Sequence, residues 1–229
     1  QLVGAEALVR WAHPERGLVP PAVFVPVAEM SDLVVALDRW MLAQVCQLLV
    51  RLDRQGQALR MSVNISPRHF QRSDFVESVR LLLADSGADP TRLMLEVTEG
   101  MVMGDLADAV SKMTELSAMG LHFSMDDFGT GYSSLAYLKR LPISELKIDK
   151  SFVQDVTTNP QDAALVDTIL AVARQLHLQV VAEGVETREQ AAFFDQRDDV
   201  VRQGYLYGRP EPLEAWLARW APSAQDSQA

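Results

Sequence analysis

Short runs rich in aliphatic and β-branched residues alternate with longer amphipathic stretches over almost the whole chain. Seven runs read as strands: Val3–Trp11, Leu59–Ser66, Leu93–Thr98, His122–Phe128, Glu145–Asp149, Gln179–Val185 and Arg202–Tyr207. Between them, apolar positions recur at helical spacing. Asp162–Leu176 carries Ala163, Leu165, Val166, Ile169, Val172 and Ala173 in that pattern. Asp32–Leu52 and Asp74–Asp85 are further helices, and Asp105–Met119 starts on an aspartate and stops at Gly120. Trp40, Met41 and Leu42 read as a helix core face, and Trp216 and Trp220 as the seal of the last helix. Gly17–Pro21 reads as a loop with a helix start.

This alternation predicts an α/β fold, a parallel sheet covered by helices. No second compositional block is present, and no glycine-rich phosphate loop follows the first strand. Both points favour a closed (β/α)8 TIM-like barrel over an open doubly wound sheet. Such a barrel has eight strands. The chain opens on Gln1-Leu2-Val3-Gly4, already leading into a strand, so the first strand is expected upstream of residue 1. Residues 1–221 then form one barrel domain, and the polar stretch 222–229 a flexible tail.

Composition narrows the function. With 48% hydrophobic and 23% charged residues, the chain is neither disordered, collagen-like nor a coiled coil. Lys+Arg 21 against Asp+Glu 31 leaves a net charge of -10, which repels polyphosphate. Broad contact with a nucleic-acid polymer or an anionic membrane is therefore excluded. A small phosphorylated ligand remains admissible if metal ions supply positive charge. The single cysteine, Cys46, allows no internal disulfide and suits a reducing cytoplasm, although a longer parent protein can still be membrane-anchored. The longest apolar runs fall short of the roughly 20 residues of a membrane span, and no basic stretch followed by an apolar one opens the sequence, so no signal peptide is expected.

The chemistry lies at the C-terminal ends of the strands, where barrels of this type place their active sites. Those ends read Glu6-Ala7-Leu8, Val63-Asn64, Leu95-Glu96-Val97-Thr98-Glu99, Asp126-Asp127-Phe128-Gly129, Lys147-Ile148-Asp149 and Glu183-Gly184-Val185-Glu186. One acidic residue at a strand end is as readily a helix cap or half of a salt bridge. Six consecutive strands with such an end are different: closed into one ring, their charges could not all stay ionised without cations. Carboxylates and an amide oxygen are hard donors, suited to Mg²⁺ or Mn²⁺. His13, His69, His122 and His177 are scattered, which disfavours zinc and non-haem iron, and His122 reads as structural. Asp126 and Asp127 are neighbours, so both reach one site only where their strand ends. Two divalent ions roughly 3.5–4 Å apart would activate a water and clamp a phosphate. Lys147, buried among them, would have a depressed pKa and help orient or deprotonate that water.

These motifs, with Gln203-Gly204-Tyr205 after them, resemble the EAL domain of bacterial phosphodiesterases that linearise cyclic di-GMP. The likeness implies that Glu6, Asn64, Glu96, Asp126 and Asp127 are metal ligands for two Mg²⁺ or Mn²⁺ ions, with Ca²⁺ inhibiting. It implies catalytic roles for Glu183 and Lys147, and substrate contacts at Leu8, Arg10, Asp149, Glu186 and Gln203. Glu99 corresponds to a glutamate that anchors the loop after Asp127, where Gly129, Gly131, Ser133 and Ser134 allow movement and link dimerisation to metal binding. The segment before Gln203 departs from the family pattern, lacking its cysteine. The family also implies cyclic di-GMP as partner, a homodimer, and sensor or GGDEF domains upstream. Hydrolysis to linear pGpG is the expected activity; the alternative is an inactive cyclic di-GMP receptor.

Overall fold

The computed structural model describes residues 2–129, 135–195, 197 and 200–220, so the expected tail 222–229 lies outside the described residues. In chain order the strands are β1 (Gly4–Ala7), β2 (Trp11–His13), β3 (Gly17–Val19), β4 (Arg60–Asn64), β5 (Leu93–Thr98), β6 (His122–Phe128), β7 (Glu145–Ile148), β8 (Gln179–Ala182) and β9 (Val200–Arg202). The chain forms two compact units. The first takes the described residues of Gln1–Glu96, Glu115–His122 and Glu211–Ala229, and the second Val97–Thr114 and Phe123–Pro210.

In the first unit β1 pairs in parallel with β4, and β4 with β5, so that Glu6 lies opposite Ser62 and Asn64 opposite Glu96. The expected strand Val3–Trp11 is corrected: it stops at Ala7, and β2 pairs antiparallel with β3 as a separate hairpin. His13 closes that hairpin, its Nδ1 accepting from the amides of Glu15 at 3.1 Å and Arg16 at 3.3 Å. The helix expected to start near Pro21 is present as Pro21–Glu29, with proline at its first turn.

The longest helix, Leu33–Arg54, buries Val34, Val35, Leu42, Val45, Cys46, Leu48, Leu49 and Leu52. Its 22 residues are long and apolar enough to cross a membrane by length and composition, the test that a buried core helix also passes. Its buried stripe lies against the helix Phe75–Ser86 and β4. Trp40 is 53% exposed while Leu42 is buried, because successive helical residues cannot share a face. The last helix, Leu213–Trp220, buries Leu217 rather than Trp220, and Arg51 ties it down through a two-pronged pair with Glu214 at 2.7 and 3.1 Å.

One charge interrupts the apolar stripe of Leu33–Arg54. The buried Asp38 carboxylate accepts from the Ser66 amide at 2.8 Å and its hydroxyl at 2.6 Å. Ser66 in turn caps the helix Pro67–Phe70, which follows directly on the end of β4. Asp38→Ala strands a buried amide and hydroxyl, and a loss of about 1–3 kcal/mol is expected in a denaturant titration.

In the second unit β6, β7, β8 and β9 pair in parallel, each with the next in the chain. The helix Pro160–Gln175 begins where the Asn159 side chain accepts from the Gln161 amide at 3.0 Å, and it buries Val166, Ile169, Leu170 and Ala173. The expected strand Arg202–Tyr207 is corrected to Val200–Arg202, and β8 ends at Ala182 rather than Val185. Beyond Arg202 the chain turns, with the Tyr207 and Gly208 amides donating to the Gly204 carbonyl.

Candidate active site

In the first unit, the parallel pairing sets Glu6 and Asn64 side by side, and the Asn64 amide donates to the Glu6 carboxylate at 2.8 Å. Glu96 lies opposite Asn64 in the ladder and is 2% exposed. Three expected metal ligands are thus clustered on adjacent strands. Leu8 and Arg10, expected at the substrate, are exposed just past β1, and Arg10 donates to the Val9 carbonyl at 2.8 Å.

The second unit holds the denser set. Asp126, Asp127 and Glu183 each offer a carboxylate oxygen, and the three atoms lie within 4.8 Å of one another. β6 spans His122–Phe128, as the pattern predicts, so both aspartates lie in its last residues. An irregularity in its pairing with β7 between Met125 and Phe128 breaks the alternation of side chains there. Asp127 takes φ +53°, a costly conformation for a residue with a side chain, and turns to the same side as Asp126.

Lys147 is 1% exposed, with its ammonium 2.7 Å from Glu183 and 3.4 Å from Asp126. Asp149 begins the helix Lys150–Gln154, accepting from the Ser151 amide at 3.0 Å. Loss of water, then the charges of Asp126 and Asp149, hold Asp127 above the ordinary carboxylate range. An acidic cluster of hard oxygens, in which Asp127 resists ionisation, suits a divalent cation.

The sign of that shift gives a test. A carboxyl raised by folding binds its proton more tightly in the native state, so its stabilising contribution is full below the ordinary value of 3.8 and is lost as pH rises through the folded value. Asp74, held down to about 2 by Arg72 and Arg39, acts in the opposite sense only below 3.8. The melting temperature of metal-free protein should therefore gain from Asp127 as pH falls from neutral towards 3.8, and Asp127→Asn should flatten that gain.

The segment after β8 is held closely. The Glu183 amide donates to the Ile148 carbonyl at 3.1 Å, and the Val185 amide to the Gln203 carbonyl at 3.0 Å. Gly184 has φ +67°, and a Cβ there would stand 2.6 Å from Lys150 Cβ. At Gly204 a Cβ would stand 2.2 Å from the Val185 carbonyl oxygen. Despite the irregular sequence before it, Gln203 continues the ladder, its amide donating to Ala182 at 2.9 Å, while Asp198 and Asp199 lie outside the described residues. Glu186 is exposed at the end of this segment.

The sequence profile of the EAL domain matches residues 1–210. The chain belongs to the EAL-domain family. Its domain is 45% identical over 218 residues to the bifunctional diguanylate cyclase/cyclic di-GMP phosphodiesterase MucR of Pseudomonas aeruginosa, covering 95% of this chain and 32% of that protein. It is 43% identical to the cyclic di-GMP phosphodiesterase NbdA of the same organism, covering 92% of this chain and 27% of that protein. The chain thus spans about a third of the length of these relatives. Among solved structures, the EAL domain superposes on the MucR phosphodiesterase in complex with cyclic di-GMP with a TM-score of 0.91 at 44% identity, covering 95% of this chain and 88% of that one. It matches the EAL enzyme Bd1971, bound to cAMP and cyclic di-GMP, with a TM-score of 0.89 at 34% identity, over 95% and 60% of the two chains. The fold is α/β, of the (β/α)8-barrel class.

Glu99 starts the helix Glu99–Met103, and both its carboxylate oxygens are buried without a hydrogen-bond partner among the described residues. The loop that Glu99 is expected to anchor, with Gly131, Ser133 and Ser134, lies outside the described residues. Sequence reasoning missed two residues of this EAL domain that hold site segments, Asp38 and Gln190. The first was detectable as a charge in an apolar stripe. The second left no signal, because a glutamine on an amphipathic helix reads as solvent-facing.

Proposed function

We propose that this domain hydrolyses cyclic di-GMP to linear pGpG with two Mg²⁺ or Mn²⁺ ions. The observation that carries the reading is the convergence of Asp126, Asp127 and Glu183 within 4.8 Å, beside the buried Lys147. The family likeness supports Glu6, Asn64, Glu96, Asp126 and Asp127 as the ligands. Bound divalent ions would lower the pKa of water and offset the phosphate's charge. Glu183 takes the proton from the attacking water as its oxygen bonds to phosphorus. The P–O3′ bond breaks, the O3′ leaves as an alcohol after protonation, and the phosphate remains on the 5′ end. Lys147, fixed between Glu183 and Asp126, orients Glu183 and draws the water's partners into line. Leu8, Arg10, Asp149, Glu186 and Gln203 hold the nucleotide, with Glu186 at the guanine side, and Glu99 anchors the loop after Asp127.

The relatives MucR and NbdA, both cyclic di-GMP phosphodiesterases by name, support the reaction, and their length supports a parent protein with sensor or GGDEF domains. The proposal includes a homodimer, acting in the cytoplasm on a bacterial second messenger. Incubation with cyclic di-GMP and Mg²⁺ or Mn²⁺, followed by separation of the nucleotides, tests the reading. Formation of pGpG supports it, and binding without pGpG would select a receptor instead. Calcium prefers 6–8 oxygens at about 2.3–2.6 Å, against the compact octahedron of Mg²⁺. Ca²⁺ is therefore expected to inhibit competitively, with activity restored by excess Mg²⁺. Robust pGpG formation with Ca²⁺ alone would count against a geometry-critical site.

A further inference from the structure

We propose that Gln190 is the positioning residue for Glu186, and so sets how tightly the site holds its nucleotide; this rests on the phosphodiesterase reading above. Gln190 lies on the helix Arg188–Asp195 and is 6% exposed. Its carbonyl oxygen Oε1 accepts from the Glu186 amide at 2.7 Å and the Thr187 amide at 2.9 Å. Its Nε2 donates to the Gln154 carbonyl at 3.0 Å. Gln154 ends the short helix that Asp149 begins. One buried amide therefore joins the segment after β8 to the segment after β7, and both carry expected substrate contacts.

The chemistry selects glutamine. The position needs one oxygen with two lone pairs and, on the same plane, one N–H donor. An ionised glutamate would accept from both amides but offer no donor to Gln154. Methionine fills similar space and makes neither kind of bond.

The segment is held at its two ends by different means. At its start, the Glu183 amide donates to Ile148, and Gly184 lies against Lys150. At its far end, Glu186 and Thr187 bind the Gln190 side chain. Loss of Gln190 should therefore release Glu186 while leaving Glu183 beside Lys147. That separates binding from turnover.

Gln190→Met is expected to raise KM for cyclic di-GMP about tenfold, the scale of one well-made buried hydrogen bond, with kcat changed less than about threefold. Hydrogen exchange at the Glu186 and Thr187 amides should speed up in the same variant, a readout that needs no activity. A residue that merely supports the fold would lower the melting temperature and leave KM per folded molecule unchanged. If Gln190→Met fails to fold, Gln190→Glu serves in its place, with the same direction and a smaller rise in KM. Unchanged KM, or unchanged exchange at the two amides, overturns the proposal. If the wild type neither binds nor cleaves cyclic di-GMP, the phosphodiesterase reading fails, and the exchange measurement still decides whether Gln190 holds the segment.

Discussion

Replacing Glu183 by glutamine should cut turnover more than about a hundredfold while leaving cyclic di-GMP affinity within about tenfold, or roughly 1.4 kcal/mol. Glutamine keeps the volume and an oxygen that can accept from Lys147, but it cannot take a proton from water. Binding rests on other groups, the nucleotide contacts and the remaining carboxylates. The structure adds a stability effect. Lys147 is 2.7 Å from Glu183, and the substitution leaves this buried ammonium with Asp126 at 3.4 Å as its charged neighbour. Breaking a buried pair outright costs about 3–5 kcal/mol, and the retained Asp126 should hold the loss below that. Melting temperature, affinity and pGpG formation are therefore to be measured on one preparation. A fall in melting temperature with turnover per folded molecule unchanged would reduce Glu183 to a structural partner of Lys147.

Asp126→Ala should lower hydrolysis at least about a hundredfold with the protein still folded, because the ions it helps to hold supply both the nucleophile and charge stabilisation. Asp126 is one of the charges that keep Asp127 above its ordinary range, so its removal relieves repulsion in the metal-free state. Lys147 retains Glu183. Glu6→Ala should cost as much activity, although it also removes the acceptor of the Asn64 amide. Near-normal turnover of either variant at saturating Mg²⁺ would remove that residue from the ligand set.

Much of this was legible in the sequence, for identifiable reasons. The strands β4 to β8 are short, β-rich runs bounded by turns, and their centres lie where the pattern puts them. Their acidic ends were visible because a charge directly after an apolar run has few structural explanations when it recurs. The errors fall where local pattern and tertiary contact diverge. Val3–Trp11 reads as one strand, but the His13 ring captures two turn amides and folds Trp11–Val19 into a hairpin of its own. Asp126 and Asp127 meet at the end of β6, as expected, but the irregular pairing and the left-handed residue that bring them together are encoded in no periodicity. The extent of β9 depends on pairing with β8, to which the aromatic run Tyr205–Tyr207 contributes nothing. Gln190 was invisible because, beside the nearby Glu186 and Thr187 amides, its third partner is the Gln154 carbonyl, 36 residues away.

Hydrolysis in ¹⁸O-labelled water tests the central claim most directly. The chain would be incubated with cyclic di-GMP and Mg²⁺ or Mn²⁺ and the products weighed by mass spectrometry. Water attack at phosphorus, aided by Glu183, predicts linear pGpG with one ¹⁸O on its terminal phosphate, and none from Glu183→Gln on the same timescale. Bound cyclic di-GMP recovered intact from the wild type, or pGpG free of label, would contradict it.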